Sequence, residues 1–378
     1  MNSDTPFADL VVLELASVLA GPSVGQFFAE LGAEVIKIEN PRTGGDVTRS
    51  WRGAGENTDD RSAYFCSCNW GKKSVLLDLS LETDREKMLR LAEKSDIIIA
   101  SYKPGDAEKL GVGYEQMKAV NPAVIYGMIT GYGPEDDRVG YDAVIQAESG
   151  FMDLNGEKDG PPVKMPVALI DILAAHQLKE GLLLALLKKE RTGEGSRVEV
   201  SLLETALASL ANQATNWTVG GKVPSRQGSA HPNIAPYGDT FVTADGKLLL
   251  LAVGNDRQFE SLLEAVGIPP SDRRVAGLKT NPDRVRNREE LNDLLARAIS
   301  KCQSLELVGD LHRRKVPAGL IRNVREALED PLSRPLRLDA AGLTGLRGFV
   351  GVGPGWASQL SAPPHLGEHT QEVLSRLL

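Results

Sequence analysis

The apolar positions of the first half fall into short continuous runs separated by stretches with helical spacing. Leu10-Val-Val-Leu-Glu-Leu15 is the first run, Ala16 to Ser23 reads as a loop, and a helix is predicted from about Pro22 to Leu31, stopping at Gly32. Glu34-Val-Ile-Lys-Ile-Glu39 closes a strand–helix–strand unit. The pattern returns in a strand over Ser74–Leu79, an amphipathic helix over Glu82–Lys94, and strands over Asp96–Ala100 and Val124–Ile129. Strands this continuously apolar, alternating with helices, imply a parallel sheet covered on both faces.

After Asp171, the residues Ile172, Leu173, Ala175, Leu178, Leu182, Ala185 and Leu186 recur at helical spacing. That helix ends in Lys188-Lys-Glu-Arg-Thr-Gly193, with cations near its C-terminus and a glycine stop. A strand over Ser196–Val200 and a helix over Leu202–Gln213 follow. Glycine and polar residues then rise from Gly220, which marks a linker. Beyond it, Asp239–Thr243 and Lys247–Val253 flank Ala244-Asp-Gly246, a hairpin pattern. Helical stretches at about 256–267, 287–301 and 304–313 complete a smaller α+β domain, and the tail from about 336 ends in a helix over Gln371–Leu378. The expected division is 1–219 and 336–378 for a large α/β domain, with 220–335 as linker and small domain.

Composition narrows the function. At 378 residues the chain is long enough for two domains, and 25% charged with 42% hydrophobic residues is ordinary for a soluble globular protein. A net charge of -8 argues against a nucleic-acid partner, since phosphate backbones demand a Lys/Arg excess. Met1–Leu10 carries Asp4 and Asp9 and no basic stretch, and the longest apolar stretch, Gly181–Leu187, falls short of the ~20 residues of a membrane helix. Three cysteines make no disulfide framework, so a reducing cytoplasm and no membrane partner are expected. Cys66 and Cys68 read as buried or half-buried structural thiols. The five histidines lack metal-ligand spacing, His365 and His369 included, so no metal is expected.

Asp171 stands where an apolar run, Val167-Ala-Leu-Ile170, meets the long helix. It can serve as the helix N-cap, or as a carboxylate held ionised by the helix start and used as a nucleophile; the two roles are compatible. The loop Ala16–Ser23 lies where open α/β sheets bind ligands, yet it reads Ala-Ser-Val-Leu-Ala-Gly-Pro and lacks the glycines of a dinucleotide site. Arg42, Arg49, Lys72, Lys73, Lys103, Lys109 and Arg138 fall in loops of this sheet. Each is either a solvated surface charge or part of a phosphate-binding set.

Several segments in order carry a resemblance. They are Leu13-Glu-Leu-Ala-Ser-Val-Leu-Ala-Gly-Pro22, Leu31-Gly-Ala-Glu-Val-Ile-Lys-Ile-Glu39, Gly44-Gly-Asp-Val-Thr-Arg49 and Asn69-Trp-Gly-Lys-Lys-Ser-Val-Leu-Leu-Asp78. Pro104-Gly-Asp-Ala-Glu-Lys-Leu-Gly111, Gly140-Tyr-Asp-Ala-Val-Ile-Gln-Ala-Glu-Ser-Gly150 and Leu366-Gly-Glu-His-Thr-Gln-Glu-Val-Leu374 complete the set. Over nearly its whole length the chain resembles the family III CoA transferases, which include formyl-CoA and carnitine-CoA transferases and the α-methylacyl-CoA racemases. The resemblance implies a Rossmann-like large domain made from both chain ends, a small inserted domain, and an interlocked homodimer. It implies CoA transfer between an acyl-CoA and a carboxylic acid, with CoA as substrate and no tightly bound cofactor.

Carried over by position, Asp171 is the nucleophile that forms an aspartyl-CoA thioester. Val18, Leu19 and Ala20 line the pantetheine arm; Leu77, Ser101, Tyr102 and Lys109 match other CoA contacts; Asn40 replaces an arginine of formyl-CoA transferases; Arg138 is a phosphate ligand. Asp142 falls at an active-site acid, or caps the next helix. The alternative activity is racemisation or isomerisation by proton transfer next to the thioester. Racemases of the family carry a histidine where this chain has Tyr141, and a tyrosine is a poor proton shuttle at neutral pH. Leu19 stands for a glutamine of formyl-CoA transferases, and their glycine run is missing, which argues against formate and oxalate. Ala175 replaces a glycine one turn into the catalytic helix.

Overall fold

The computed structural model describes residues 5–269 and 271–376. The chain forms two compact units. The larger comprises residues up to Met152, Lys164–Val223 and the return from Pro335; the smaller comprises Asp153–Val163 and Pro224–Arg334.

The larger unit is built on strands β1 (Val11–Leu15), β2 (Glu34–Glu39), β3 (Lys72–Leu76), β4 (Ile97–Ala100), β5 (Ile125–Thr130) and β6 (Ser196–Ser201). They form one sheet in the order β3-β2-β1-β4-β5-β6, and every pairing is parallel. The two-residue period of each strand sends alternate side chains to opposite faces. Val12, Val35, Ile97, Ile99 and Ile125 face the helices Ala20–Glu30 and Leu169–Thr192. Leu13, Ile36, Val75, Ile98 and Tyr126 face the helix Glu82–Glu93 on the other side. Burial on both faces is why these strands read as unbroken apolar runs.

The helix expected over Leu202–Gln213 is two helices, Leu202–Ser209 and Asn212–Thr218, broken where Ala211 takes φ 50°. Sequence periodicity passes over the short helix Asp142–Glu148. The C-terminal return docks by main-chain bonds: the Glu30 carboxylate accepts the N–H groups of Gly348 at 2.7 Å and Phe349 at 3.1 Å. The terminal helix covers Thr370–Ser375, and the expected end at Leu378 lies outside the described residues.

In the smaller unit, β7 (Tyr237–Val242), β8 (Leu248–Ala252) and β9 (Ala318–Leu320) form an antiparallel sheet. The β7–β8 turn is the expected Asp-Gly hairpin, with Gly246 at φ 76°. Helices Asp256–Ala265, Arg288–Ile299 and Ser304–Arg313 cover it through Phe259, Leu262, Leu295 and Leu311. Among the described residues no helix is long and apolar enough to cross a membrane.

Candidate active site

In an open parallel sheet, ligands bind beyond the C-terminal strand ends where the strand order reverses. Here that point lies between β1 and β4. A cavity of about 310 Å³ opens there, and Val18, Ala20, Ser101, Tyr102, Arg138 and Asp171 all line it. Two main-chain segments at its edge cross so closely that a Cβ on Gly131 would sit 2.8 Å from the Gly140 Cα. No side chain fits at either position.

Asp171 is 8% exposed and sits inside the first turn of the Leu169–Thr192 helix. The helix begins earlier than the apolar run suggests. Its N-cap is Ala168, and no side chain caps it locally. Asp171 is therefore not the cap, and the expectation that the helix start holds it ionised is corrected. Burial, with no hydrogen-bond donor among the described residues, raises its carboxyl to about 7, and the nearby charge of Asp142 pushes the same way. At neutral pH the group is shared between acid and carboxylate.

Asp142 reaches the helix start from its own short helix. Its Oδ1 accepts the Ile170 N–H at 2.8 Å, satisfying one of the orphan donors of the Leu169–Thr192 helix. Its Oδ2 accepts from Gln146 Nε2 at 2.6 Å, and Gln146 Oε1 accepts the Met165 N–H at 2.8 Å. Sequence reasoning missed Gln146. The signal available was its four-residue spacing from Asp142, which puts both on one helix face.

A second cavity, of about 390 Å³, is lined by Asn40 and Leu77 together with Arg42 and Asp78. Tyr102 lines both cavities. Burial raises the Tyr102 phenol to about 12, so it stays neutral. Leu19 lines neither cavity, nor does Lys109, which is exposed and pairs with Asp106 at 2.9 Å.

The loop cations separate sharply. Lys103 and Arg138 line the cleft, Arg138 stacking 3.8 Å from the Tyr132 ring centre and pairing with Asp136. Lys72 and Arg49 do not fit a phosphate-binding role. Lys72 belongs to β3 and is buried on Glu14 at 2.7 Å, and Arg49 is buried on Glu39 at 2.7 Å. Lys73 bridges Glu34 and Glu372. Lys37 joins the buried set, 2.9 Å from both Glu14 and Asp46. Cys66 and Cys68 are free thiols that burial raises to about 11, which leaves them unreactive.

A doubly wound sheet with a buried carboxylate in its switch-point cleft, unpaired among the described residues, is the frame of an α/β enzyme. Residues 7–370 match the sequence model of CoA-transferase family III, and the chain belongs to that family of CoA-transferases. It is 38% identical to the succinate–glutarate CoA-transferase of Agrobacterium fabrum, the match covering 100% of this chain and 96% of that one. It is 33% identical to the succinyl-CoA:glutarate CoA-transferase of Homo sapiens, over 100% of this chain and 87% of the relative. Among solved structures it is similar to a CAIB/BAIF family protein from Brucella suis, with a TM-score of 0.89 and 39% identity. That match covers 99% of this chain and 100% of the other.

Proposed function

We propose that the protein moves CoA from an acyl-CoA donor to a carboxylic-acid acceptor through an aspartyl-CoA thioester on Asp171, with succinyl-CoA as donor and glutarate or a related dicarboxylic acid as acceptor. The observation that carries this reading is Asp171 itself: a carboxylate lining the switch-point cleft, buried and without a hydrogen-bond donor among the described residues. The names of the relatives supply the substrate class.

The carboxylate attacks the thioester carbonyl and expels CoA thiolate, leaving a mixed anhydride between Asp171 and the donor acyl group. The thiolate then attacks the aspartyl carbonyl, forming the enzyme thioester and releasing the donor acid. The acceptor carboxylate runs the same steps in reverse. Each exchange trades one activated acyl bond for another, which keeps the intermediates nearly balanced in energy. The pantetheine arm fills the cleft beside Val18, Ala20, Ser101 and Tyr102. The nucleotide end takes the second cavity at Asn40 and Leu77, and Lys103 and Arg138 offer charge to the phosphates. Leu19 and Lys109 remain proposed contacts on the family pattern alone. Asp142 acts as the active-site acid by fixing the helix start.

The proposed domain division is 1–219 with 336–378 and 220–335; the two compact units support its outline, with Asp153–Val163 belonging to the smaller unit instead of the larger. The working form is an interlocked homodimer. Exposed apolar side chains support it: Leu184 and Leu187 on the catalytic helix and Trp217 and Val219 beyond it, between 56% and 84% exposed.

Trapping tests the reading. After incubation with succinyl-CoA, hydroxylamine or borohydride treatment followed by peptide mass mapping places a modification on Asp171, and none on an Asp171→Ala variant. Exchange of the α-hydrogen with deuterated water, with Asp171 unmodified, would instead establish a racemase.

A further inference from the structure

The loop between β1 and the Ala20–Glu30 helix holds one residue in a costly conformation. Val18 has φ 73°, in the left-handed region that a β-branched side chain strongly disfavours. Such residues persist only where the surroundings over-determine them. Val18 also lines the cleft that holds Asp171. Both of its main-chain polar groups are held: Asp46 Oδ1 accepts its N–H at 3.3 Å, and its carbonyl accepts from the Cys68 thiol at 3.5 Å.

Asp46 is 4% exposed and lines neither cavity. The same Oδ1 accepts from Ser17 Oγ at 3.0 Å and from Thr48 N and Oγ1 at 3.0 and 2.8 Å. Oδ2 faces Lys37 Nζ at 2.9 Å, and that ammonium donates to the Ala16 carbonyl at 2.8 Å and to Glu14 at 2.9 Å. The Ser17 N–H donates across the switch point to Ser101 Oγ at 3.3 Å. Three consecutive residues, Ala16 to Val18, are thus tied to one buried ion pair or to the loop after β4.

We propose that Asp46 is a positioning residue for acyl transfer, holding Val18 in its left-handed turn and so fixing the cleft wall against which the thioester lies. This rests on the placement of the acyl-CoA in that cleft. Without the carboxylate, Val18 relaxes to negative φ, both flanking peptide planes rotate, and the path from β1 into the helix shifts. Lys37 keeps Glu14 as a counter-ion, so the sheet survives the change.

The test is a double-mutant cycle of Asp46→Ala with Val18→Gly, assayed with succinyl-CoA and glutarate well below each variant's melting temperature. CoA binding is measured in parallel by calorimetry. Asp46→Ala is expected to lower kcat/KM by about ten- to a hundredfold, the population penalty of leaving such a conformation unsupported. Glycine adopts positive φ at no steric cost, so Val18→Gly in the Asp46→Ala background recovers most of the loss. A purely stabilising Asp46 would show as a lower melting temperature with unchanged turnover below it. That result, or a loss that glycine leaves untouched, overturns the proposal. Should Asp46→Ala give no folded protein, Asp46→Asn replaces it, with a smaller expected loss and the same required rescue. If the wild-type protein itself binds no CoA, it is the placement of substrate that fails.

Discussion

Glu14 and Asp171 are both buried carboxylates on elements that border the same cleft region, and they are treated in opposite ways. Glu14 is fully buried and receives Lys72 at 2.7 and 3.0 Å and Lys37 at 2.9 Å. Burial by itself would lower Lys37, but Glu14, Asp46 and Glu39 outweigh it and hold its ammonium above the ordinary value. Asp171 has no cation and no donor among the described residues, and the one charge that acts on it, Asp142, is of like sign. The sheet's charges are neutralised in place because a buried lone charge costs several kcal/mol. Asp171 is given no such partner, so its ionised form is the costly one, and under the proposed mechanism acylation, which removes that charge, is favoured by its surroundings.

Removing the proposed nucleophile sets the upper end of the comparison. Asp171→Ala is expected to lower turnover by at least about 10⁴-fold, the scale seen when a covalent nucleophile is deleted, with the circular-dichroism spectrum unchanged. Breaking the satisfied pair should do the reverse, altering stability before chemistry. Lys72→Met leaves Glu14 with Lys37 alone and removes the ammonium that donates to the Pro22 carbonyl and to Asn69 Oδ1. Urea unfolding should show a loss of about 3–5 kcal/mol. A loss below about 1 kcal/mol would mean that water reaches the network.

The sheet is legible because its strands are buried on both faces, and that burial writes itself into the sequence as apolar runs. The strand order is not, since pairing partners leave no local trace. Asp171 can be found from the motifs around it, but its environment cannot. The helix begins at Leu169, inside the apolar run that reads as preceding it, so the residue that resembles a cap lies within the first turn. Lys72 reads as a loop cation for a related reason. A lysine next to an apolar run looks like an edge, whereas Glu14 and Lys37 sit side by side on β1 and β2 and draw Lys72 inward. The available signal was a charge of each sign inside neighbouring apolar strands.

Stability against pH sharpens the contrast further. Asp171 has a folded value raised from 3.8 to about 7, so between those values the folded protein binds more protons than the unfolded chain. Stability therefore falls as pH rises through this window and is lowest above it. Asp171→Asn cannot ionise and escapes the fall. Its advantage over the wild type, read from melting temperatures, should be near zero at pH 3.5 and grow to a few kcal/mol at pH 8, because each tenfold gain in proton affinity on folding is about 1.4 kcal/mol. An advantage independent of pH would show that the carboxylate carries no excess burial energy.

The smallest effect isolates the like charge. If Asp171 must be ionised to attack, kcat/KM falls on the acid side of about pH 7. In Asp142→Asn the amide oxygen still accepts the Ile170 N–H, so the helix start keeps its partner, while the negative charge beside Asp171 is gone. Ionisation becomes easier and the acid limb moves to lower pH. The plateau also drops modestly, because Gln146 Nε2 then meets an amide nitrogen where it had a carboxylate oxygen, and its own oxygen is committed to Met165. The direction of the limb separates the two roles of Asp142. A pure cap leaves the limb in place and changes only the plateau, whereas a charge acting on Asp171 moves it.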